Sequence, residues 1–219
     1  MKRVLPITDP VRHAAALTGR SCRLLSDDCP WREDMAFHTV NEFGGLGRGF
    51  HQHCGPTAVT NLVCAAVRRR DPAHAEDVDP ARIFSRAADI GRRRLTYWNI
   101  HERFHVGGTS YLLLRAYVAA CLRQFGMSGA RVTARLKASP EKMAEEIRRG
   151  RLLCLAMYRH RCYGSHLVVA YGAVQVAVEG EAVPRLYFRV ADGWSTTPRY
   201  ILADSLRLCS CISVELQQL

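Results

Sequence analysis

The chain has 219 residues, of which 48% are hydrophobic and 23% charged, and these proportions exclude a disordered protein and favour one well-filled domain. Its formal net charge of +11 arises from 31 lysines and arginines against 20 acidic residues. The arginine runs at 68–70 and 92–94 fall where helices are expected to end, which suits solvated helix termini, and no nucleic-acid-binding signature accompanies them.

Residues 1–40 form an N-terminal extension of unknown role, ahead of a single domain spanning 41–219. A short helix is predicted over 11–17, followed by a polar segment. The extension could serve as a lid, a plug or an oligomer contact. The opening MKRVLPITDP meets a proline and an aspartate before an apolar core develops, which is not typical of a signal peptide.

The nine cysteines contain no C-x-x-C pair, and several lie within apolar runs, where cysteine behaves as a small hydrophobic residue. This usage indicates a reducing compartment, and we expect a cytoplasmic protein. The apolar stretch at 167–178 is too short to cross a membrane and is interrupted by Gly172 and Gln175.

Four helices are predicted between residues 54 and 150. They span 54–70, 80–90, about 109–125 and 140–149. The first follows a glycine-rich approach at 42–49 and carries Pro56 in its first turn. Thr109 or Ser110 could cap the third helix, and Ser139 is the predicted cap of the fourth.

After Gly150 the pattern changes to apolar runs of strand length. Strands are predicted at 151–158, 166–178, 186–191, 199–202 and 212–216. Helices followed by an antiparallel sheet indicate an α+β fold, with an N-terminal helical half packed face to face against a C-terminal sheet. A cleft between the halves would take residues from both.

Three residues in this pattern suit thiol-based acyl transfer. Cys54 opens its helix in HQHCGPTAV, where unpaired backbone N–H groups favour a thiolate. His166 opens a strand in GSHLVV, and Asp192 ends the next strand, so an antiparallel pairing can bring the two together. A nucleophile, a base and an orienting acceptor in this order predict chemistry through a thioester. The structural alternatives are a packed helix start, a strand-end histidine and a plain turn at Asp192.

The ordered set of CGPTA opening a helix, GSH opening a strand and VADGW closing a later one resembles the papain-like cysteine peptidases. It is most similar to the peptidase domains that trim double-glycine leader peptides, where a helix, a glycine and a strand also precede the histidine strand, as in SPEKMAEEIRRG and RLLCLAMY. The likeness covers residues 41–216. It implies a papain-like fold in which Cys54 is the nucleophile, His166 the acid and base, Asp192 the orienting residue and Trp194 a shield for their hydrogen bond. A thiolate–imidazolium pair would lower the cysteine pKa from about 8.5 to roughly 3.5–7.5.

The chain departs from the papain-like pattern at the oxyanion site. Papain-like enzymes usually carry a glutamine six positions before the cysteine, and here that position is Arg48. The Cys54 backbone N–H can supply one donor. The second could be Gln52, which is the leading candidate, His53 or Asn41, or there could be no second donor. Losing one such donor costs on the order of 100- to 1,000-fold in rate.

We expect no cofactor. His51, His53 and Cys54 have the chemistry of zinc ligands, but no second ligand pair has recognisable spacing, so no metal is predicted. The glycine pair at 107–108 lacks the lysine of a phosphate-binding loop. The expected partner is a peptide or another amide-containing substrate. The alternatives are an acyltransferase or amidase with the same triad, or a catalytically silent binding module whose basic surface holds an acidic partner.

Overall fold

A computed structural model describes residues 5–46, 52–101, 106–136, 138–206 and 209–217. Within these ranges the chain forms an α+β fold, as predicted. The helices are α1 (Pro10–Thr18), α2 (Val40–Gly44), α3 (Cys54–Arg70), α4 (Pro80–Arg93), α5 (Leu114–Gln124) and α6 (Pro140–Arg148), with 3-10 turns at Pro72–Asp77 and Ala203–Ser205. None of the helices in the described ranges combines the length and the apolar character needed to span a bilayer.

Seven strands form one antiparallel sheet, and two more form a separate hairpin. The strands are β1 (Cys22–Asp28), β2 (Tyr97–His101), β3 (Val106–Thr109), β4 (Arg131–Leu136), β5 (Leu152–His160), β6 (Gly164–Val178), β7 (Arg185–Ala191), β8 (Arg199–Leu202) and β9 (Cys209–Glu215). The sheet runs β4-β9-β5-β6-β7-β8, and β2 pairs with β3. The five strands predicted after Gly150 are all present, in β5 to β9.

Helices cover both faces of the sheet. Helices α3, α4 and α5 contribute Leu62, Ile83 and Tyr117 to a core that also contains Leu167 and Val169 of β6. On the other face, α6 packs Met143 and Ile147 against the alternate residues of β5, β6 and β7. Because successive strand residues point to opposite faces, burial on both sides explains why β5 and β6 are continuous apolar runs. The predicted arrangement of two halves face to face is thus only partly correct, because α6 lies on the opposite face from α3 and the sheet also takes β1 and β4 from the N-terminal part of the chain.

The N-terminal segment is built into the same sheet. Strand β1 pairs antiparallel with the second half of β6, from Cys22 opposite Val178 to Asp28 opposite Ala173. Helix α1 contributes Ala14 to a cluster with Val176 and Tyr187. Trp31 is fully buried in the core beneath α3, and its indole N–H donates to the Gly150 carbonyl at 2.9 Å. The described part of the first forty residues thus supplies an edge strand and core side chains.

Two predicted boundaries differ from the structure. The glycine-rich approach at 42–49 begins inside α2, where Thr39 and Glu42 form a capping box and satisfy each other's backbone N–H groups. Helix α5 begins at Leu114 rather than near Thr109 or Ser110, because Thr109 belongs to β3 and pairs with Tyr97. Neither hydroxyl caps α5, whose N-cap residue Leu113 makes no side-chain cap.

Candidate active site

Helix α3 places Cys54 at its first position, at the mouth of a cleft. His53 is the N-cap residue, and its imidazole Nδ1 lies 3.2 Å from the hydroxyl of Thr57, one turn into the helix. Backbone groups of Leu167 of β6 and of Gly55 lie close enough to the Cys54 sulfur to favour its thiolate form against the effect of burial. Leu167 directly follows His166 in the chain, and both residues line the same cleft as Cys54.

The glycine after the cysteine is required by close packing. A Cβ at Gly55 would lie 1.9 Å from the Oγ1 of Thr109 and 2.7 Å from its Cβ, distances that no real side chain could keep. Strand β3 therefore seats directly against the first turn of α3. The Thr109 hydroxyl is buried there and has no hydrogen-bond partner within the described ranges.

His166 is buried at the start of β6, with 4% of its surface exposed. Its Nε2 lies 2.7 Å from the backbone carbonyl oxygen of Asp192. A carbonyl can only accept, so Nε2 carries the proton and Nδ1 is the basic nitrogen of the neutral imidazole. The rings of Tyr163 and Trp194 pack on His166, with centroids 5.6 Å and 4.7 Å away.

Asp192 contacts His166 through its main chain and not through its carboxylate. Carboxylate Oδ1 accepts the backbone N–H groups of Trp194 at 2.9 Å and Ser195 at 3.0 Å, which fixes a tight turn after β7. Oδ2 accepts the Tyr163 hydroxyl at 3.2 Å. His166 and Asp192 are in contact, but the contacting atom is the carbonyl oxygen and not the predicted carboxylate, which holds the turn instead.

One cleft of about 620 Å³ collects most of the residues that the sequence indicated. Its walls include Asn41, Gln52, Cys54, Trp98, His166 and Trp194. Gln52 has a φ of 50°, an uncommon left-handed conformation for a non-glycine residue, and its side chain oxygen lies near Gly108 across the cleft. This backbone turn is what allows a residue only two positions before Cys54 to line the same cleft. Arg48 and His51 lie outside the described residues.

Burial dominates the ionisation of both reactive groups. It raises the pKa of the Cys54 thiol above its ordinary value, and the N–H groups of Leu167 and Gly55 only partly offset this effect. Burial also lowers the pKa of His166, while the carbonyl and the charge of Asp192 act in the opposite direction. Near neutral pH both groups are therefore uncharged: Cys54 is a thiol and His166 is a neutral imidazole. The low cysteine pKa expected from the sequence is therefore wrong, because burial of the Cys54 thiol outweighs the backbone N–H groups at the start of α3.

No group of three His, Cys, Asp or Glu side chains among the described residues is arranged to hold a metal ion. The His53 ring instead contacts Thr57 and packs edge-on against Phe84, with centroids 5.3 Å apart. The sequence does not indicate Tyr163 or Thr109 as site residues, and Thr109 is predicted only as a helix cap, because both meet the site through tertiary packing.

Comparison of the chain with protein-family models, with curated proteins and with solved structures gave no match.

Proposed function

We propose that this protein is a papain-like cysteine hydrolase, most simply a peptidase, that forms a thioester on Cys54. The observation that carries the proposal is the convergence of Cys54, from the first position of α3, and His166, from the start of β6, on the walls of one cleft. The tautomer of His166 supports it further, because the Asp192 carbonyl holds the proton on Nε2 and leaves Nδ1 as a base.

The proposed reaction uses His166 twice. As the Cys54 sulfur attacks the substrate carbonyl carbon, its proton passes to Nδ1 of His166, and the carbonyl oxygen becomes an oxyanion. Collapse of this tetrahedral intermediate breaks the carbon–nitrogen bond, and the proton on Nδ1 goes to the leaving amine. Water then attacks the thioester with Nδ1 again accepting a proton, which returns to the sulfur as the acid departs.

Stabilisation of the oxyanion needs donors aimed at the reacting carbonyl. The Cys54 backbone N–H lies at the first turn of α3, where it has no partner within the helix. Gln52 is the proposed second donor, since it lines the same cleft as Cys54. The imidazolium formed in the reaction is stabilised by the Asp192 charge, which already acts to raise the His166 pKa.

The same thioester supports transfer to an acceptor other than water, so an acyltransferase or amidase remains the alternative enzyme. A silent binding module with an acidic partner is the alternative outside catalysis. We further propose a reducing, cytoplasmic setting, since all nine cysteines are free thiols.

Thiol alkylation tests the proposal without a known substrate. Iodoacetamide labelling, mapped by mass spectrometry from pH 5 to 9, is expected to modify Cys54 faster than the other partly exposed thiols, with a rate that rises with pH. His166→Gln should remove this preference, because it removes the base that accepts the thiol proton. His13→Gln is the matched control, since His13 is a partly buried histidine that contacts Tyr187 instead.

Two outcomes would contradict the proposal or part of it. Equal labelling of Cys54 and the other thiols at every pH would leave only the binding module, whose affinity for an acidic partner should fall with salt. A rate that is already maximal below pH 6 would mean that a thiolate–imidazolium pair exists at rest, against the raised cysteine pKa.

A further inference from the structure

Tyr163 lies outside every motif that pointed to the site, yet it touches two of its members. It ends the turn between β5 and β6, three residues before His166, and only 5% of its surface is exposed. Its ring lies parallel to the His166 imidazole, with an interplanar angle of 8° and centroids 5.6 Å apart. Its hydroxyl donates to the Asp192 carboxylate at 3.2 Å.

Two aromatic rings, those of Tyr163 and Trp194, pack on the His166 imidazole. Trp194 contacts both His166 and Tyr163, with centroids 4.7 Å and 4.9 Å away. The Asp192 carboxylate accepts both the backbone N–H of Trp194 and the hydroxyl of Tyr163. The Tyr163 hydroxyl therefore links the turn after β7 to the start of β6, where His166 lies. The acceptor is a buried carboxylate, so the loss of this hydrogen bond leaves a polar group unsatisfied in the interior.

Tyr163 is itself held by the turn that carries it. The Nδ1 of His160 accepts the backbone N–H groups of Cys162 at 3.2 Å and of Tyr163 at 3.3 Å. The Nε2 of His160 lies 2.9 Å from the Ser205 hydroxyl on the far side. His160 ends β5 and Ser205 follows β8, so contacts from both segments fix the backbone that carries the Tyr163 ring.

We propose that Tyr163 is a positioning residue for His166. Its hydroxyl holds the Asp192 turn, so that the Asp192 carbonyl meets Nε2, and its ring fixes the plane of the imidazole. The proton then stays on Nε2, and Nδ1 stays available as the base. This role rests on the proposed function, although the state of His166 can be measured without any reaction.

The experiment compares Tyr163→Phe with Tyr187→Phe. Tyr187 is a buried tyrosine whose hydroxyl also meets a histidine, His13 at 3.1 Å, so the control removes the same atom from a similar environment. Nitrogen-15 NMR of the ring nitrogens reports which nitrogen of His166 carries the proton and at what pH the ring titrates. Alkylation reports the reactivity of Cys54, and urea unfolding checks that both variants are folded.

For Tyr163→Phe we expect a smaller share of His166 with its proton on Nε2, and Cys54 labelling slower by about 10-fold, as for other residues that orient a reacting group through a hydrogen bond. Tyr187→Phe should change neither. Asp192→Asn weakens the same bond from the acceptor side and should shift the His166 tautomer in the same direction.

The proposal is overturned if His166 in Tyr163→Phe and Asp192→Asn is indistinguishable from His166 in Tyr187→Phe. Failure of the proposed function looks different: Cys54 in the wild-type protein would then show no preferential labelling. In that case the nitrogen-15 spectra alone decide whether Tyr163 positions the imidazole.

Discussion

At the scale of single residues, Asp192 shows why the atom matters as much as the residue. Chain order predicts a carboxylate that orients the base. The structure instead gives His166 the backbone carbonyl and uses the carboxylate to hold the N–H groups of Trp194 and Ser195 and the hydroxyl of Tyr163. The side chain therefore acts on the base through the shape of the turn and through its charge.

This arrangement predicts a separation between two substitutions of Asp192. Asn retains an oxygen for the two backbone N–H groups, so Asp192→Asn should keep Cys54 labelling within about 10-fold of wild type, whereas a carboxylate that orients the base directly is worth about 10⁴-fold. Asp192→Ala removes both carboxylate oxygens and should lower the free energy of unfolding by roughly 2 to 4 kcal/mol. Urea unfolding and alkylation rates measure both effects, and a loss near 10⁴-fold for Asn would refute the main-chain role.

At the scale of elements, the hairpin of β2 and β3 depends on a glycine in another element. Gly55→Ala should destabilise the protein by about 1 to 3 kcal/mol, as overpacking does, because its Cβ meets the Thr109 side chain of β3. Thr109→Ala in the same chain should restore part of the loss, since it removes the nearest atom but keeps a Cβ at 2.7 Å.

Gly44→Ala is the matched control for this substitution, because a Cβ at Gly44 meets nothing within 4 Å. It should leave the free energy of unfolding nearly unchanged in a thermal or urea melt. Equal stability of Gly55→Ala and Gly44→Ala would show that β3 does not seat on α3 as described.

The elements that the sequence predicts correctly carry local signals. Ser139 caps α6 as expected, α3 ends in its arginine run, and β5 to β9 follow from apolar runs. The missed strands lack such signals: β1 has no clear alternation, its residues being only partly buried or exposed, and it is a strand because β6 is long enough to pair with it. Helix α2 has only five residues, and its capping box is formed by Thr39 and Glu42. The sequence does not predict it, because the glycines at 42–49 indicate a flexible segment instead.

The candidate site divides in the same way. Its reactive residues can be recognised from the sequence, because a cysteine at the start of a helix and a histidine at the start of a strand have predictable positions in the fold. The residues that support them are not, since Tyr163 and Thr109 gain their contacts only when the turn before β6 and the hairpin meet the site. The left-handed backbone of Gln52 was equally hidden, because no glycine or asparagine marks it.

At the scale of the whole molecule, a sheet covered on both faces leaves several histidines in poorly solvated positions. Burial lowers the pKa of His13, His160 and His166 below the ordinary value of 6.5, with Arg185 adding to the effect at His13 and His166 adding to it at His160. Each ring therefore binds a proton more readily in the unfolded chain than in the folded protein. Lowering the pH below about 6.5 thus favours unfolding.

The pH dependence of stability follows from that difference. Stability contributed by these neutral rings is complete above pH 6.5 and is lost as the pH falls toward their lower folded values. The loss is at most about 1.4 kcal/mol per pH unit for a buried histidine such as His166, and it is smaller for the more exposed His13 because solvent screens its surroundings. Glu146 acts only at lower pH, since the hydrogen bonds of Ser213 and Arg151 outweigh its burial and hold its pKa below 4.5. Urea unfolding at pH 7.5, 6.5 and 5.5 should therefore show a falling free energy of unfolding, with a shallower fall in His13→Gln. A flat profile over this range would mean that the three rings ionise as freely in the folded protein as in water.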